Sequence, residues 1–354
     1  MVCQEIKPTC RQFPFQAPTL SGEVIPIALY GLGSIGMAVA RAARERHGLA
    51  IKAAIDVDPV KVNQDLGTLL GEEPWGVVVN DRPSDLAGAR VVLHTTGSFL
   101  DEVLPQLQTL IEAGGNIVSS TEELAFPYLK HAEKAHYLDS LATKHGVAVV
   151  GVGVNPGFAM DVLPLVLSAA CQRVDRIRVR RMVNTTLRRF NLQKKTGAGM
   201  TCEEFAQALK CGRMGHIGLA ESAALLAHGL GWRLRALEEE ISPVVAKRTL
   251  QSEFITVAPG LVAGLRQVVK GKSNESTLIE LDLTMALGDV DDLDEVLLNG
   301  RPDLRLMVPG GLPGDLATVA ALLNTIPRMP GAKPGLRTML DLTLPHLASL
   351  ANHC

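Results

Sequence analysis

Aromatic side chains are scarce in this chain, at 4% of its 354 residues. So few rings argue against a surface that stacks nucleic-acid bases, which relies on aromatic side chains. Positive charge is not in excess either, because 35 Lys+Arg stand against 37 Asp+Glu and leave a formal net charge of −2. A near-neutral net charge argues against the basic surface patch that binds nucleic acids or anionic membranes. We therefore expect neither a nucleic acid nor a membrane as partner.

Paired cysteines and long apolar runs are also missing. The six cysteines are scattered and include no Cys-x-x-Cys pair. This spacing favours reduced thiols in a cytoplasmic protein over a disulfide framework or a zinc site, so we expect no metal. No run approaches the ~20 apolar residues of a transmembrane helix. The N-terminal stretch contains no continuous apolar signal segment, and residues 1–21 are predicted to form a flexible lead.

The composition that remains is that of a globular protein with a large core, with 47% hydrophobic residues and a mean hydropathy of +0.18. Its length suits two domains. From Val24 to Asn155, short β-forming runs alternate with amphipathic helical segments. Such alternation predicts an α/β fold, here a Rossmann-type doubly wound parallel sheet over residues 22–155.

The pattern changes after Asn155. Segment 173–185 alternates apolar with basic residues, which indicates a half-exposed strand of a mostly antiparallel sheet. Helices are predicted over 201–211 and 216–230. Residues 156–312 are therefore interpreted as a second, α+β domain for substrate binding and oligomerisation. Residues 313–354 are predicted to form a helix and a tail that pack back on the first domain.

A glycine motif, G-L-G-S-I-G, follows the first predicted strand and opens the first helix. Gly31 permits the tight turn, Gly33 lets the backbone approach a pyrophosphate, and Gly36 lets the helix lie close to the sheet. The amides of Ser34 and Ile35 at the helix start then face the phosphates. The motif predicts a dinucleotide-binding site.

Asp56 ends the next strand, twenty residues beyond Gly36. A carboxylate there binds the ribose 2′-hydroxyl of NAD and repels the 2′-phosphate of NADP. Lys61 lies about one turn further and could meet that phosphate, or it could be an ordinary solvated lysine. The sequence leans toward NAD and leaves NADP open.

Two further strand ends carry polar residues. Thr95, Thr96 and Gly97 follow one strand and suit close approach to the nicotinamide ribose, although a plain connecting loop would look the same. Glu122 and Glu123 follow the next strand, where a carboxylate could act as a general base or hold a cationic nitrogen. Adjacent side chains diverge, so only one should face the cleft. The alternative is an ordinary acidic helix start.

The crossing into the second domain supplies the remaining candidates. Asn155 begins the turn N-P-G-F-A-M-D and could offer an amide to the nicotinamide or to the substrate, while the turn itself could be a rigid hinge. Phe158, Ala159 and Met160 follow, and they are expected to line a substrate pocket together with His216. His216 could equally serve as a cap or a core residue.

Six stretches resemble one known family. They are YGLGSIG (30–36), IDVDPVKVNQDLG (55–67), NIVSSTEELAFP (116–127), GVGVNPGFAMDVLPLVL (151–167), GHIGLAES (215–222) and GGLPGDLATVAALLNTIP (310–327). The chain is similar over most of its length to the 2,4-diaminopentanoate dehydrogenases and the related NAD(P)-dependent amine dehydrogenases. Their N-terminal domain is akin to that of dihydrodipicolinate reductase.

The resemblance implies reductive amination. A ketone or aldehyde condenses with ammonia, NAD(P)H reduces the resulting imine, and the reverse reaction deaminates a primary amine. The family's catalytic carboxylate corresponds to Glu122, with Glu123 as the second choice. Ala159 replaces a larger residue of some relatives, which should leave more room for substrate. A homodimer is expected by analogy.

Two other functions stay open. A 2,4-diaminopentanoate dehydrogenase needs a cation for the substrate carboxylate, and the candidates are Arg188, Arg189, Lys194 and Lys195. The third possibility is a nicotinamide-binding regulatory protein without catalysis, against which the intact glycine motif and Glu122 argue.

Overall fold

The computed structural model describes residues 24–274 and 276–347, and the lead predicted over 1–21 lies outside them. The described strands are β1 (Ile25–Tyr30), β2 (Leu49–Ile55), β3 (Val79–Asn80), β4 (Val91–His94), β5 (Asn116–Ser119), β6 (Ala148–Gly151), β7 (Arg173–Asn184), β8 (Ala236–Val245), β9 (Leu250–Gln251), β10 (Thr256–Val257), β11 (Val262–Ser273), β12 (Ser276–Ala286), β13 (Leu293–Arg301), β14 (Leu304–Pro309) and β15 (Gly335–Arg337). The described helices are α1 (Ser34–Arg44), α2 (Leu66–Leu69), α3 (Leu100–Glu112), α4 (Ala132–His145), α5 (Val162–Ser168), α6 (Phe190–Lys195), α7 (Cys202–Lys210), α8 (Leu219–Gly229) and α9 (Gly314–Thr325).

Seven parallel strands form the first sheet, in the order β15-β6-β5-β4-β1-β2-β3. Side chains of β1 alternate between its faces. Ile27 and Leu29 pack under α1 and α9, whereas Ala28 and Tyr30 belong to the cluster under α3 and α4. Both faces are covered by helices, as a parallel sheet requires. The predicted Rossmann-type doubly wound sheet is confirmed.

The second sheet is mixed, in the order β14-β13-β7-β12-β11-β8. Its central pair, β7 and β12, is parallel and its other pairs are antiparallel. One face packs against α8, where Leu219, Ala223 and Leu226 meet Val179 and Leu281. This is the second, α+β layer of the molecule.

The chain then returns to the first sheet. In α9, Val319, Leu322 and Leu323 pack in the core cluster that also holds Val39 and Ala40 of α1. The following tail adds β15 beside β6 as a seventh strand, which the sequence pattern did not predict. Among the described residues, no helix combines the length and apolarity needed to cross a bilayer.

Candidate active site

Four neighbouring strands of the first sheet end at one cavity. β1, β4, β5 and β6 lie side by side, and the loops that follow them line a cavity of about 860 Å³ facing the second sheet. The strand order reverses between β1 and β4, and such switch points at carboxyl ends are where doubly wound sheets bind ligands. The predicted site residues that line this cavity are Gly33, Ser34, Ile35, Thr95, Thr96, Gly97, Glu122, Asn155 and His216.

The three glycines of the motif have different surroundings. Gly31 has a φ of +91°, and a Cβ there would lie 2.7 Å from the Cγ2 of Thr96. A Cβ on Gly36 would lie 1.9 Å from the carbonyl oxygen of Gly31. Gly33 has no atom within 4 Å of its Cβ position, and it lines the cavity beside Ser34, the first residue of α1. This open approach to a helix N-terminus fits the pyrophosphate of a dinucleotide.

Asp56 lies beside the same turn. Its carboxylate accepts hydrogen bonds from the backbone N–H groups of Leu32 (2.7 Å) and Asp58 (2.9 Å), and Lys61 Nζ is 3.3 Å away. Burial alone would raise the pKa of Asp56, but these hydrogen bonds and the Lys61 charge hold it below its usual value. Asp56 and Lys61 form one ion pair beside the turn, outside the set of residues that line the cavity.

The Thr95 side chain is hydrogen-bonded to the glycine turn. Its Oγ1 donates to the carbonyl of Gly31 at 2.7 Å. The Oγ1 of Thr96 donates to Gln106 Oε1 at 2.6 Å. These hydroxyls therefore connect the β4 loop to the glycine turn and to α3.

His94 is a packed histidine. Its ring stacks on Tyr30, and its nitrogens contact Ser119 Oγ (2.8 Å) and Gln106 Oε1 (2.9 Å). Burial lowers the pKa of His94 to about 4. It is neutral and fully hydrogen-bonded, so it takes no part in the cavity's chemistry.

Glu122 and Glu123 diverge. Glu123 is 6% exposed, and its Oε2 accepts hydrogen bonds from the backbone N–H of Leu100 (2.8 Å), the first residue of α3, and from His131 Nε2 (3.0 Å). Glu122 is half-buried and lines the cavity. Burial raises the pKa of Glu122, although a hydrogen bond with Ser98 and the charge of Lys195 oppose this. Glu123 is occupied by structural contacts, which leaves Glu122 as the carboxylate for a ligand.

Asn155 and His216 meet opposite the glycine turn. His216 Nε2 is 3.2 Å from Asn155 Nδ2 and 3.1 Å from the Asn155 carbonyl oxygen. Burial lowers the pKa of His216 to about 4, and the charges of Arg181 and Lys195 act in the same direction. Asn155 Oδ1 is buried and accepts no hydrogen bond from any described residue. His216 is therefore a neutral imidazole, and both residues line the cavity while the Asn155 amide oxygen is left without a hydrogen-bond donor from the described residues.

The cavity also holds charged groups that the sequence did not bring together. Arg181 pairs with the buried Asp294 at 2.5 Å, and Lys130 pairs with the buried Glu221 at 2.8 Å. Lys195 lines the cavity near Glu122 and forms no salt bridge with the described part of the chain. The cations of the first two pairs are neutralised, whereas the Lys195 ammonium is available.

The prediction that Phe158, Ala159 and Met160 line the substrate pocket is wrong. Ala159 and Met160 are fully buried in the core of the second domain, and Phe158 packs on the first core. The reason is Asp161, whose carboxylate accepts hydrogen bonds from Gly157 N (2.8 Å) and from Ser222 Oγ (2.7 Å). These bonds tie the turn to α8 and direct the side chains inward. The smaller Ala159 therefore opens no room for substrate.

The second sheet supplies the apolar wall instead. The residues concerned are Val183, Ile241, Leu265, Leu283 and Met285, with Gln267 as a polar member. Strand alternation indicates that such residues share faces, but it does not indicate which face looks into a cavity. The described residues contain no cluster of three His, Cys, Asp or Glu side chains arranged for a metal ion.

Comparisons with known proteins agree on one family. Residues 158–353 match the model of the 2,4-diaminopentanoate dehydrogenase C-terminal domain. The chain is 30% identical to a 2,4-diaminopentanoate dehydrogenase of Acetoanaerobium sticklandii, over 91% of this chain and 94% of that protein. It is 24% identical to an amine dehydrogenase of Streptomyces virginiae, over 91% and 97%.

A solved structure agrees. The amine dehydrogenase of Mycobacterium smegmatis superposes with a TM-score of 0.82 at 26% identity, covering 92% of this chain and 98% of that one. The match therefore covers most of both chains.

Proposed function

The chain belongs to the 2,4-diaminopentanoate dehydrogenase family, and we propose that it catalyses the NAD(P)H-dependent reductive amination of ketones or aldehydes with ammonia. The reverse reaction is the oxidative deamination of a primary amine. The observation that carries the proposal is the half-buried Glu122 carboxylate, which lies in the same cavity as the glycine turn.

The residues present would hold the cofactor at two ends. Gly33, Ser34 and Ile35 offer the helix start to the phosphates, and Asp56 offers its carboxylate to the ribose. Thr96, Gly97 and the free Oδ1 of Asn155 serve the nicotinamide end of the cavity. When bound, NAD(P)H supplies the hydride.

Glu122 handles the proton and the charge of the substrate. Ammonia adds to the carbonyl carbon, and the resulting hydroxyl leaves as water once it receives a proton. A carboxyl group whose pKa is raised by burial keeps its proton to a higher pH than an exposed carboxyl group, and it can donate that proton to the leaving hydroxyl. The carboxylate that remains stabilises the iminium ion until the carbon is reduced. In the reverse direction, the same carboxylate accepts the proton of the substrate ammonium.

The apolar wall serves the uncharged part of the substrate. Val183, Leu265, Leu283 and Met285 present aliphatic surface to the cavity. The wall also excludes water from around Glu122 and the iminium ion. The electrostatic attraction between the carboxylate and the iminium is then stronger, because the local dielectric constant falls. We assign this wall to the alkyl groups of the ketone.

Lys195 supports a second candidate, a dehydrogenase of diamino acids. Its unpaired ammonium lines the cavity and acts electrostatically on both Glu122 and His216. A substrate carboxylate would pair with it. Lys194, in contrast, lies 5.3 Å from the ring centroid of Phe190 and outside the cavity lining.

One assay separates the candidates. Ammonium-dependent oxidation of NADH and NADPH is measured with plain ketones and with keto acids of the same chain length, on the wild type and on Lys195→Met. If the wild type prefers keto acids and Lys195→Met abolishes that preference, the result supports a dehydrogenase of diamino acids. Equal rates on plain ketones in both proteins support the general amine dehydrogenase. No turnover with any carbonyl, together with intact cofactor binding, supports the regulatory protein and contradicts both enzymes.

We also keep a cytoplasmic homodimer as part of the proposal. The described cysteines, Cys171, Cys202 and Cys211, are free thiols, which supports a reducing compartment. The long strands of the second sheet are the proposed dimer surface, by analogy with other two-domain dehydrogenases. Light scattering of the purified chain measures the oligomer directly, and a monomer at micromolar concentration would contradict this part.

A further inference from the structure

A dinucleotide brings two negative charges to the glycine turn, and a cation near that turn would form charge-assisted hydrogen bonds with them. The basic residues that line the cavity are Lys130, Arg181, Arg188, Arg189, Lys195 and Arg213. Lys130 and Arg181 are paired with buried carboxylates. The other four, Arg188, Arg189, Lys195 and Arg213, are the candidates for the phosphate end of the cavity.

Arg189 lies there, although it comes from the second domain. It is the N-cap residue of α6, and its guanidinium contacts the hydroxyl of Ser34. Ser34 is the first residue of α1 and follows Gly33, whose Cβ position is open. The second domain thus extends one cation over the helix start that faces the phosphates.

The present partner of Arg189 is weak. Its guanidinium is 3.5 Å from Asp315, and the two side chains are 40% and 47% exposed. An exposed pair at this distance adds little to stability and is readily exchanged. A phosphate forms stronger bonds with arginine, because two N–H groups meet two oxygens.

We propose that Arg189 binds the pyrophosphate of NAD(P)H and leaves Asp315 when the cofactor enters. The glycine turn holds the phosphates from the first domain, and Arg189 closes over them from the second. Cofactor binding thereby connects the two domains at Ser34 and Arg189. Asp315, at the start of α9, competes with the phosphates for the same guanidinium.

The test measures binding without turnover. Dissociation constants of NADH, ADP-ribose and adenosine are determined by calorimetry for the wild type, Arg189→Gln, Arg189→Lys, Asp315→Asn and Lys194→Gln. Lys194→Gln is the matched control, because it removes one positive charge from the same helix at a position outside the cavity lining. Melting temperatures of all variants are recorded alongside.

Arg189→Gln should raise the dissociation constants of NADH and ADP-ribose by about tenfold or more, the loss expected for a charge-assisted hydrogen bond. Adenosine, which has no phosphate, should bind unchanged. The dissociation constants of Arg189→Lys should lie between those of the wild type and those of Arg189→Gln. Asp315→Asn should bind NADH at least as tightly as the wild type. Lys194→Gln should match the wild type.

Three results would overturn the proposal. These are wild-type binding of ADP-ribose by Arg189→Gln, an equal loss for adenosine, and an equal loss in Lys194→Gln. A chain that binds NADH through Arg189 but aminates no ketone would contradict the proposed function and leave this inference standing.

Discussion

Replacement of Glu122 by Gln separates chemistry from folding. The variant keeps the size and the hydrogen-bonding reach of the side chain, but it removes the negative charge and the proton carrier. The residues that we propose to hold the cofactor, Gly33, Asp56 and Asn155, are left unchanged. We therefore expect NADH binding to stay at the wild-type level while amination is lost.

The rate should fall by ~10²–10⁴-fold, the contribution of one positioned acid or base. Each factor of ten corresponds to about 1.4 kcal/mol, so the activation barrier should rise by roughly 3–5 kcal/mol. Loss of the charge opposite the iminium acts in the same direction.

The same substitution should stabilise the fold at neutral pH. Burial raises the pKa of Glu122 above its ordinary value of 4.5, so the native state binds more protons than the unfolded state between the two pKa values. Stability of the wild type therefore falls as the pH rises through that window. Gln does not titrate, and the gain of Glu122→Gln should be present at neutral pH and vanish below about pH 4.

The assay is single-turnover reduction of a ketone at saturating ammonia and NADH, with thermal unfolding measured across the same pH range. Glu123→Gln is the control, and its effects on rate and on stability should be the reverse of those of Glu122→Gln. Its rate should stay near the wild type, and its melting temperature should drop, because Glu123 accepts the hydrogen bonds of Leu100 and His131. Wild-type turnover in Glu122→Gln refutes the assignment, and inactivity of Glu123→Gln alone would transfer the role to that residue.

Other substitutions test the cofactor site. Gly33→Val should keep the wild-type melting temperature, because a Cβ at this position meets no atom within 4 Å. Its dissociation constant for NADH should nevertheless rise about tenfold or more. An unchanged affinity would show that the pyrophosphate does not bind at this turn. Gly36→Ala should instead destabilise the fold, because its Cβ would lie 1.9 Å from the Gly31 oxygen, and an unchanged melting temperature would contradict the packing. Asp56→Ser should raise the NADP-to-NAD ratio of kcat/KM by about tenfold and Lys61→Ala should lower it, because in the proposed cofactor position the 2′ group lies beside these two opposite charges. Equal ratios in both variants would place the 2′ group elsewhere.

The first domain was predictable because its signals are local. A strand, a glycine turn and a helix follow one another within residues 24–44, and Gly31 adopts the positive φ that only its residue type takes readily. Parallel strands bring their carboxyl ends to one edge, so Glu122 and Asn155 were expected there from the order of elements alone.

The family resemblance favoured Glu122 over Glu123, but the physical reason for that choice came from the tertiary structure. Both follow β5, and nothing in their own sequence distinguishes them. Glu123 is held by Leu100 and His131, which lie 23 and 8 residues away in the chain. Only the packing of those segments shows which carboxylate is occupied and which faces the cavity.

The wall of the pocket was likewise decided by packing. The turn at Phe158 has the composition of a pocket, but hydrogen bonds to Asp161 from Gly157 and Ser222 turn its neighbours into the core. The strands of the second sheet were partly visible in the sequence as alternating apolar residues. Periodicity determines which residues share a face of a strand, because it is a property of the local backbone. Whether that face is covered or left open as a cavity depends on how two distant segments meet, and only the tertiary structure decides it.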